Sequence, residues 1–446
     1  MNKPDNWVEL TWQEKREKRF EWWRAAHGVD FIGADARAMH DARVDRLIKA
    51  IKLEELPDRV PVNGITGTFP AYYAGYDLKT AMFDAEKCKE AVLRVAHDFS
   101  ADTAGRSAIP NGKFYELMQL RTHKWPGGGL QDDAPLFQFV EKEYMREGEY
   151  ALYFNNPADY LLRYHLPRTY GVFEPISRLG PLGAFRGVGM QLMTAAGTPE
   201  FREMAETLLR AHEVTALWDR VMAECAMACR QMGYPAESGS PALAPFDTLA
   251  DMLRGTRGSV IDMFRRPERV LEMVERILPV SLESAVRRAD MADSPLIIVP
   301  LHKGDDMFMS DEQFEKFYWP SFRRLLMGMI EEGIVPMPVV EGTYSRRLEY
   351  IRDLPKSGVI WLFEKTDMAA VKKVLGGHTC IAGNVGVSLM RTGGPEDVKK
   401  YCRWLIDTCA PGGGYILSMG AGIDKCDPAN VHAMIDTAKE YGVYKG

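Results

Sequence analysis

The sequence predicts an α/β chain folded as a (β/α)8 TIM barrel, and three observations carry that reading. A short apolar run followed by a longer amphipathic segment recurs five times in the C-terminal half, at 295–300, 335–340, 358–363, 379–383 and 414–419. Each run is apolar on both faces, as parallel strands covered by helices must be. Candidate strands at 59–66, 101–108 and 173–179 bring the total to about eight, the number that closes a barrel. With 446 residues, 46% of them hydrophobic and 26% charged, the chain can bury a core of that size.

The elements follow in order. Residues 12–51 read as helix, because TWQEKREKRFEWWRAAHG sets Phe20, Trp23 and Ala26 on one stripe between charges and Gly28 is a natural stop. Residues 1–55 are therefore expected to be a helical extension packed on the outside of a barrel spanning 56–446. At LPDRVPVNGIT, Pro57 and Asp58 break the helix, and Val60, Val62 and Ile65 suit a buried strand. Residues 124–168, with KWPGGGLQDDAPLFQFVEKEYM and FNNPADYLLRYHLPR, read as a loop-rich insertion with short helices, expected to cover one mouth of the barrel. Several segments between the late apolar runs begin with Ser, Asp or Pro and end in Gly, as helix starts and stops do.

Composition excludes several function classes. Lys and Arg number 56 against 62 Asp and Glu, a net charge of −6 with the signs interspersed, so no basic stripe is present to neutralise phosphates and nucleic acid is not an expected partner. The apolar runs fall far short of the roughly 20 residues that span a membrane. MNKPDNWVEL lacks the pattern of a secretory signal, and the seven cysteines form no CxxC, so a cytoplasmic protein with reduced thiols is expected. Cys225 and Cys229 share a helix face but sit among Met and Ala, which suits core thiols. Gly412–Gly414 follow a helix and precede a strand, the wrong end for phosphate binding. No GxxxxGK[ST], GxSxG or HExxH motif occurs.

In a barrel the chemistry sits where strands end and βα loops begin. The short list is Asn63, Thr66, Arg106, His302, Asp305, Asp306, Glu341, Glu364, Asp367, Asn384 and 418–424. Glu341, in PVVEGTY, leaves an apolar run directly into the mouth and is the leading catalytic candidate, with a plain loop salt bridge as the alternative. His302, in IIVPLHKGDD, is a candidate general base, ligand or orienting group, or a hydrogen-bonded loop histidine. Asp306 is the third catalytic candidate, although Asp305 or Asp306 also suits capping of the helix that begins near Ser310. Asn63, Tyr72, Arg106, Glu364 and Asn384 are assigned to substrate binding, with pairing to Asp102 the alternative for Arg106. Clustered acids raise one another's pKa, and a divalent cation, if one binds, falls to Glu341 and His302.

The segment GGHTCIAGNVGVSLMRTGGPEDVKKYCRWLIDTCAPGGGYILSMGAGIDKCDPANVHAMI resembles the closing part of the uroporphyrinogen decarboxylase superfamily, which includes corrinoid-dependent methyltransferases. The match lies in Gly383–Asn384, in GGPE and in the GAGI to PANV ending, and with PDRVPV the similarity extends over most of 57–446. The resemblance implies a (β/α)8 barrel that holds substrate at the strand C-termini. Two departures bear on function. The arginine-bearing segment of the decarboxylases is replaced by NGITGTFPAYYAG, and their closing histidine by Ala421, so the chain lacks cations for a tetrapyrrole's acids. The methyltransferases' H-x-C zinc segment falls on Val339 and Glu341 and their later cysteine on Ala421, so the thiolate zinc site is replaced. The resemblance thus implies a methyltransferase moving a methyl group between a small O-methyl or N-methyl compound and a corrinoid protein. No D-x-H-x-x-G segment is present, so cobalamin is expected to arrive on that partner. A homodimer is a further expectation. The alternatives are a decarboxylase of a small carboxylic acid and a catalytically silent binding subunit.

Overall fold

A computed structural model describes residues 3–105, 107–183, 187–237 and 241–445. Helix α1 (Trp12–Ala25) starts on a capping box in which the Glu14 amide donates to Thr11 Oγ1 and the Thr11 amide donates to Glu14 Oε2. It stops at Ala26, and helix α2 runs Ala34–Lys52. Phe20, Trp23, Val44, Leu47, Ile48 and Ile51 from this pair form one core with Leu296, Val335, Ile360, Cys380 and Ile416, which lie at or near the starts of the late strands. Arg16 donates to the Ser357 carbonyl and Arg19 to the Glu332 carbonyl, both in loops that precede strands. The extension therefore plugs the N-terminal mouth of the barrel and is not an external decoration, because its apolar stripe finds the open strand ends rather than a helix layer.

In the insertion, β1 (His123–Pro126) pairs with β2 (Gly129–Leu130) and β3 (Gln138–Phe139). Five parallel strands follow in neighbour order: β4 (Leu296–Leu301), β5 (Val335–Val340), β6 (Ile360–Phe363), β7 (Cys380–Val385) and β8 (Tyr415–Met419). Every residue of β6, β7 and β8 is buried, which is why these runs carry no alternation. β4 and β5 pair over six residues, yet β5 and β6 pair only at Val339 and Val340. The Val335 amide faces β4, so positions 336 and 338 face β6, and proline there has no N–H to give.

Three shorter staves complete the α/β TIM barrel. Val62 bridges Leu417 of β8, and the Asp102 amide donates to the Val62 carbonyl, so the first two staves stand where the sequence places them. The third does not. Residues 173–179 fall largely within the 3-10 helix Gly171–Arg178, where Val172 and Ile176 pack toward Met118 and Met204 and Pro175 withholds a ladder donor. The stave beside β4 is instead the segment around Ala242, whose amide donates to the Ile298 carbonyl. The insertion clamps the helical turn that follows this stave: the Met145 amide donates to the Leu253 carbonyl, and the Thr256 amide to Glu141. No helix of the described residues is long and apolar enough to cross a membrane.

Candidate active site

The C-terminal ends of β4 and β5 lie side by side, with Leu301 paired to Val340, so the next residues, His302 and Glu341, open onto the same mouth. Their side chains face each other, Nε2 to Oε1, at 3.8 Å. Behind His302 stand two carboxylates from the segment after the Ala242 stave. Asp251 Oδ2 lies 2.5 Å from His302 Nδ1. Asp247 is fully buried and accepts from the amides of His302 and Lys303 and from the Tyr318 hydroxyl at 2.8–3.1 Å. Lys303 Nζ sits 3.4 Å from Asp251 Oδ1 and donates to Thr256 Oγ1.

These positions set the charges. Burial works against a charge on His302, but the Asp251 hydrogen bond and the negative field of Asp247, Asp251 and Glu341 outweigh it and push the imidazole up to about 9. Burial raises Asp247 to about 6, against the pull of His302 and the hydrogen bond from Tyr318. Glu341 is raised as well, first because the walls of the mouth desolvate it and then because Glu364 and Asp251 repel its charge, with His302 opposing. Its side chain is nevertheless 51% exposed, so one face remains open to solvent.

The other candidates separate into groups. Glu364 Oε2 accepts from the Gly342 amide at 2.9 Å, directly after Glu341, and so borders the pair. Asp306 does not join it: its carboxylate accepts from the Arg346 amide and lies 3.5 Å from the buried Arg347 guanidinium, which holds it in the loop. Asp305 accepts from Thr343 and Met307 amides, and Ser310 caps its own helix, so neither aspartate is the cap. Asn384 is buried with both ends engaged, its amide to the Thr366 carbonyl and its oxygen to the Tyr401 hydroxyl, which ties the side chain to neighbouring elements. Asn63 donates to Ser418 Oγ at 3.3 Å across the first stave and β8. Tyr72 donates to the Pro135 carbonyl of the insertion and carries Lys425 over its ring. Asp367 caps the helix Met368–Leu375. Arg106 lies outside the described residues, and Asp102 is paired with Arg46 and Arg59.

Asp247 and Asp251 were missed by sequence reasoning. The available signal was their four-residue spacing in PFDTLADML directly after Ala242, but placing the third strand at 173–179 kept that loop off the short list.

The donor set does not fit a thiolate zinc centre. Among the described residues no group of three or more His, Cys, Asp and Glu side chains is arranged to hold a metal ion. Cys380, the cysteine of β7, is fully buried within the sheet. Dialysed protein is expected to hold well below one zinc per chain. A stoichiometric zinc that disappears in Cys380→Ser or Cys426→Ser would contradict this.

Comparison with known proteins agrees with the architecture. A solved structure, a methyltransferase from Methanosarcina mazei, superposes with a TM-score of 0.58 at 14% identity, covering 90% of this chain and 98% of that one, which is a likeness of fold. No curated protein matches significantly. The family described as Uroporphyrinogen decarboxylase (URO-D) matches residues 187–441, from beyond the insertion to the end of the helix Pro428–Glu440, while residues 57–186 lie outside that match. Since that span is more than half of the sequence and contains β4 to β8 with His302 and Glu341, the chain belongs to the uroporphyrinogen decarboxylase family.

Proposed function

We propose that this chain is a cytoplasmic methyltransferase that moves a methyl group between a small methylated compound and a corrinoid protein. The observation that carries the proposal is the facing pair of His302 and Glu341 at the C-terminal mouth, backed by Asp251, where a family barrel holds substrate. A methyl group bound to oxygen leaves behind an alkoxide or phenoxide, a poor leaving group in water. A proton held within reach of that oxygen lowers the barrier, and positioned acids typically contribute about 100-fold to 10,000-fold.

The open side of Glu341 fits a reactant delivered by a second protein. A corrinoid supplies a cobalt nucleophile for the methyl group, and the chain's own residues orient the methylated compound and manage the proton. Glu364 and Asn63 border the mouth on either side and are the proposed substrate contacts.

The test incubates purified protein with cob(I)alamin and a panel of methoxylated aromatics and methylamines while the cobalamin spectrum is followed. Methylcobalamin formation with at least one donor is the expected result. No transfer from any donor, with release of carbon dioxide from a small acid instead, would replace the reading by a decarboxylase.

A further inference from the structure

The pair at the mouth could carry its proton on either member, and the residues behind His302 decide between them. A carboxylate only accepts, so the 2.5 Å contact with Asp251 requires a hydrogen on Nδ1. Asp251 is itself held through Lys303, which Thr256 fixes in turn. Asp247 grips the backbone from which the ring hangs. With ring and backbone both fixed, Nε2 points toward Glu341 at 3.8 Å, beyond hydrogen-bond range, and among the described residues it has no acceptor. The site thus presents an oriented imidazole nitrogen whose hydrogen faces the Glu341 carboxylate without a hydrogen bond to it.

The geometry points to Asp251 as a positioning residue that holds His302 with Nε2 as the proton donor to the oxygen of a methyl ether. This rests on the methyltransferase reading above. The charged groups around the ring are Asp247 and Asp251 from the segment after the third stave, its neighbour Lys303, Glu341 after β5 and, through Gly342, Glu364 after β6; the Tyr318 hydroxyl is bonded to Asp247. Anions outnumber the single ammonium, and the imidazole stays protonated up to about 9.

The chemistry selects the substrate class. As the methyl–oxygen bond breaks, its electron pair stays on oxygen, the methyl carbon passes to the reduced cobalt nucleophile that the partner's corrinoid brings, and the oxygen takes the Nε2 proton. Water then returns a proton to the ring. A quaternary ammonium leaves as a neutral amine and needs no proton. Methyl ethers are therefore the expected donors, ahead of quaternary methylamines.

The test follows the histidine ring resonances of the full chain against pH, with His302 assigned by its loss in His302→Gln. In the wild type its midpoint is expected near 9. Asp251→Asn keeps an acceptor for Nδ1 and removes the charge, so burial then dominates and the midpoint is expected to fall by about one unit or more. At pH 7.5 kcat on an ether should fall in proportion to the protonated fraction, by about tenfold if the midpoint reaches about 6.5, with little change in KM. A wild-type midpoint at or below about 6.5 overturns the proposal even if the variant fails to fold. So does an unchanged midpoint in a folded Asp251→Asn protein, and both outcomes leave methyl transfer standing. A midpoint near 9 with methyl transfer from methylamines but from no ether overturns the proton-donor role alone, whereas no transfer from any donor overturns the methyltransferase reading and the role with it.

Discussion

Glu341→Gln is expected to lower turnover on a confirmed methyl donor by about 100-fold or more while leaving the unfolding midpoint unchanged. The carboxamide keeps the size and hydrogen bonding of the side chain but cannot ionise. The carboxylate faces His302 Nε2 at 3.8 Å and contributes to the field that keeps the imidazole charged, so neutralising it lowers the fraction of the ring that carries a proton to give. Half of the side chain is exposed, so the fold does not depend on it. The sequence ranks His302 behind Glu341 as a possible orienting residue. Its contacts with Asp251 and Asp247 reverse that order, and His302→Gln is expected to cost at least as much as Glu341→Gln. Full turnover in Glu341→Gln would show that the reaction does not need Glu341, and Glu364 would be the first carboxylate to try in its supporting role.

Trp23→Ala is expected to destabilise the protein by about 3–5 kcal/mol, measured by denaturant unfolding. The indole is 2% exposed, and its Nε1 donates to the Ala236 carbonyl at 2.9 Å. It belongs to the apolar cluster that joins α1 and α2 to the starts of the late strands. Truncation leaves a cavity at the floor of the barrel and strips a buried carbonyl of its donor. A loss below about 1 kcal/mol, typical of a surface site, would show that the extension is dispensable to the core. Because Trp23 lies at the opposite end from His302 and Glu341, activity at low temperature should persist in the folded fraction.

What the sequence determined by itself was local. Each late strand is a buried apolar run, and the physics that makes it a strand acts over a few residues, so β4 to β8 stand within two residues of their expected positions. The same locality places His302 and Glu341 at strand ends, since the side chain after a barrel strand opens on the mouth. Tertiary structure decided everything that rests on contacts between distant segments. The stave at Ala242 is held by a bond to Ile298 and carries no strand pattern, so the aspartates that follow it became visible only when folding brought them against a histidine some fifty residues later. Asp306 lies in the same short loop as His302, yet a buried Arg347 offered its carboxylate a stronger partner there. Asn384 was claimed in the same way by Thr366 and Tyr401. A polar side chain at a strand end goes to whichever partner best compensates its desolvation, and that partner is set by packing rather than by neighbouring residues.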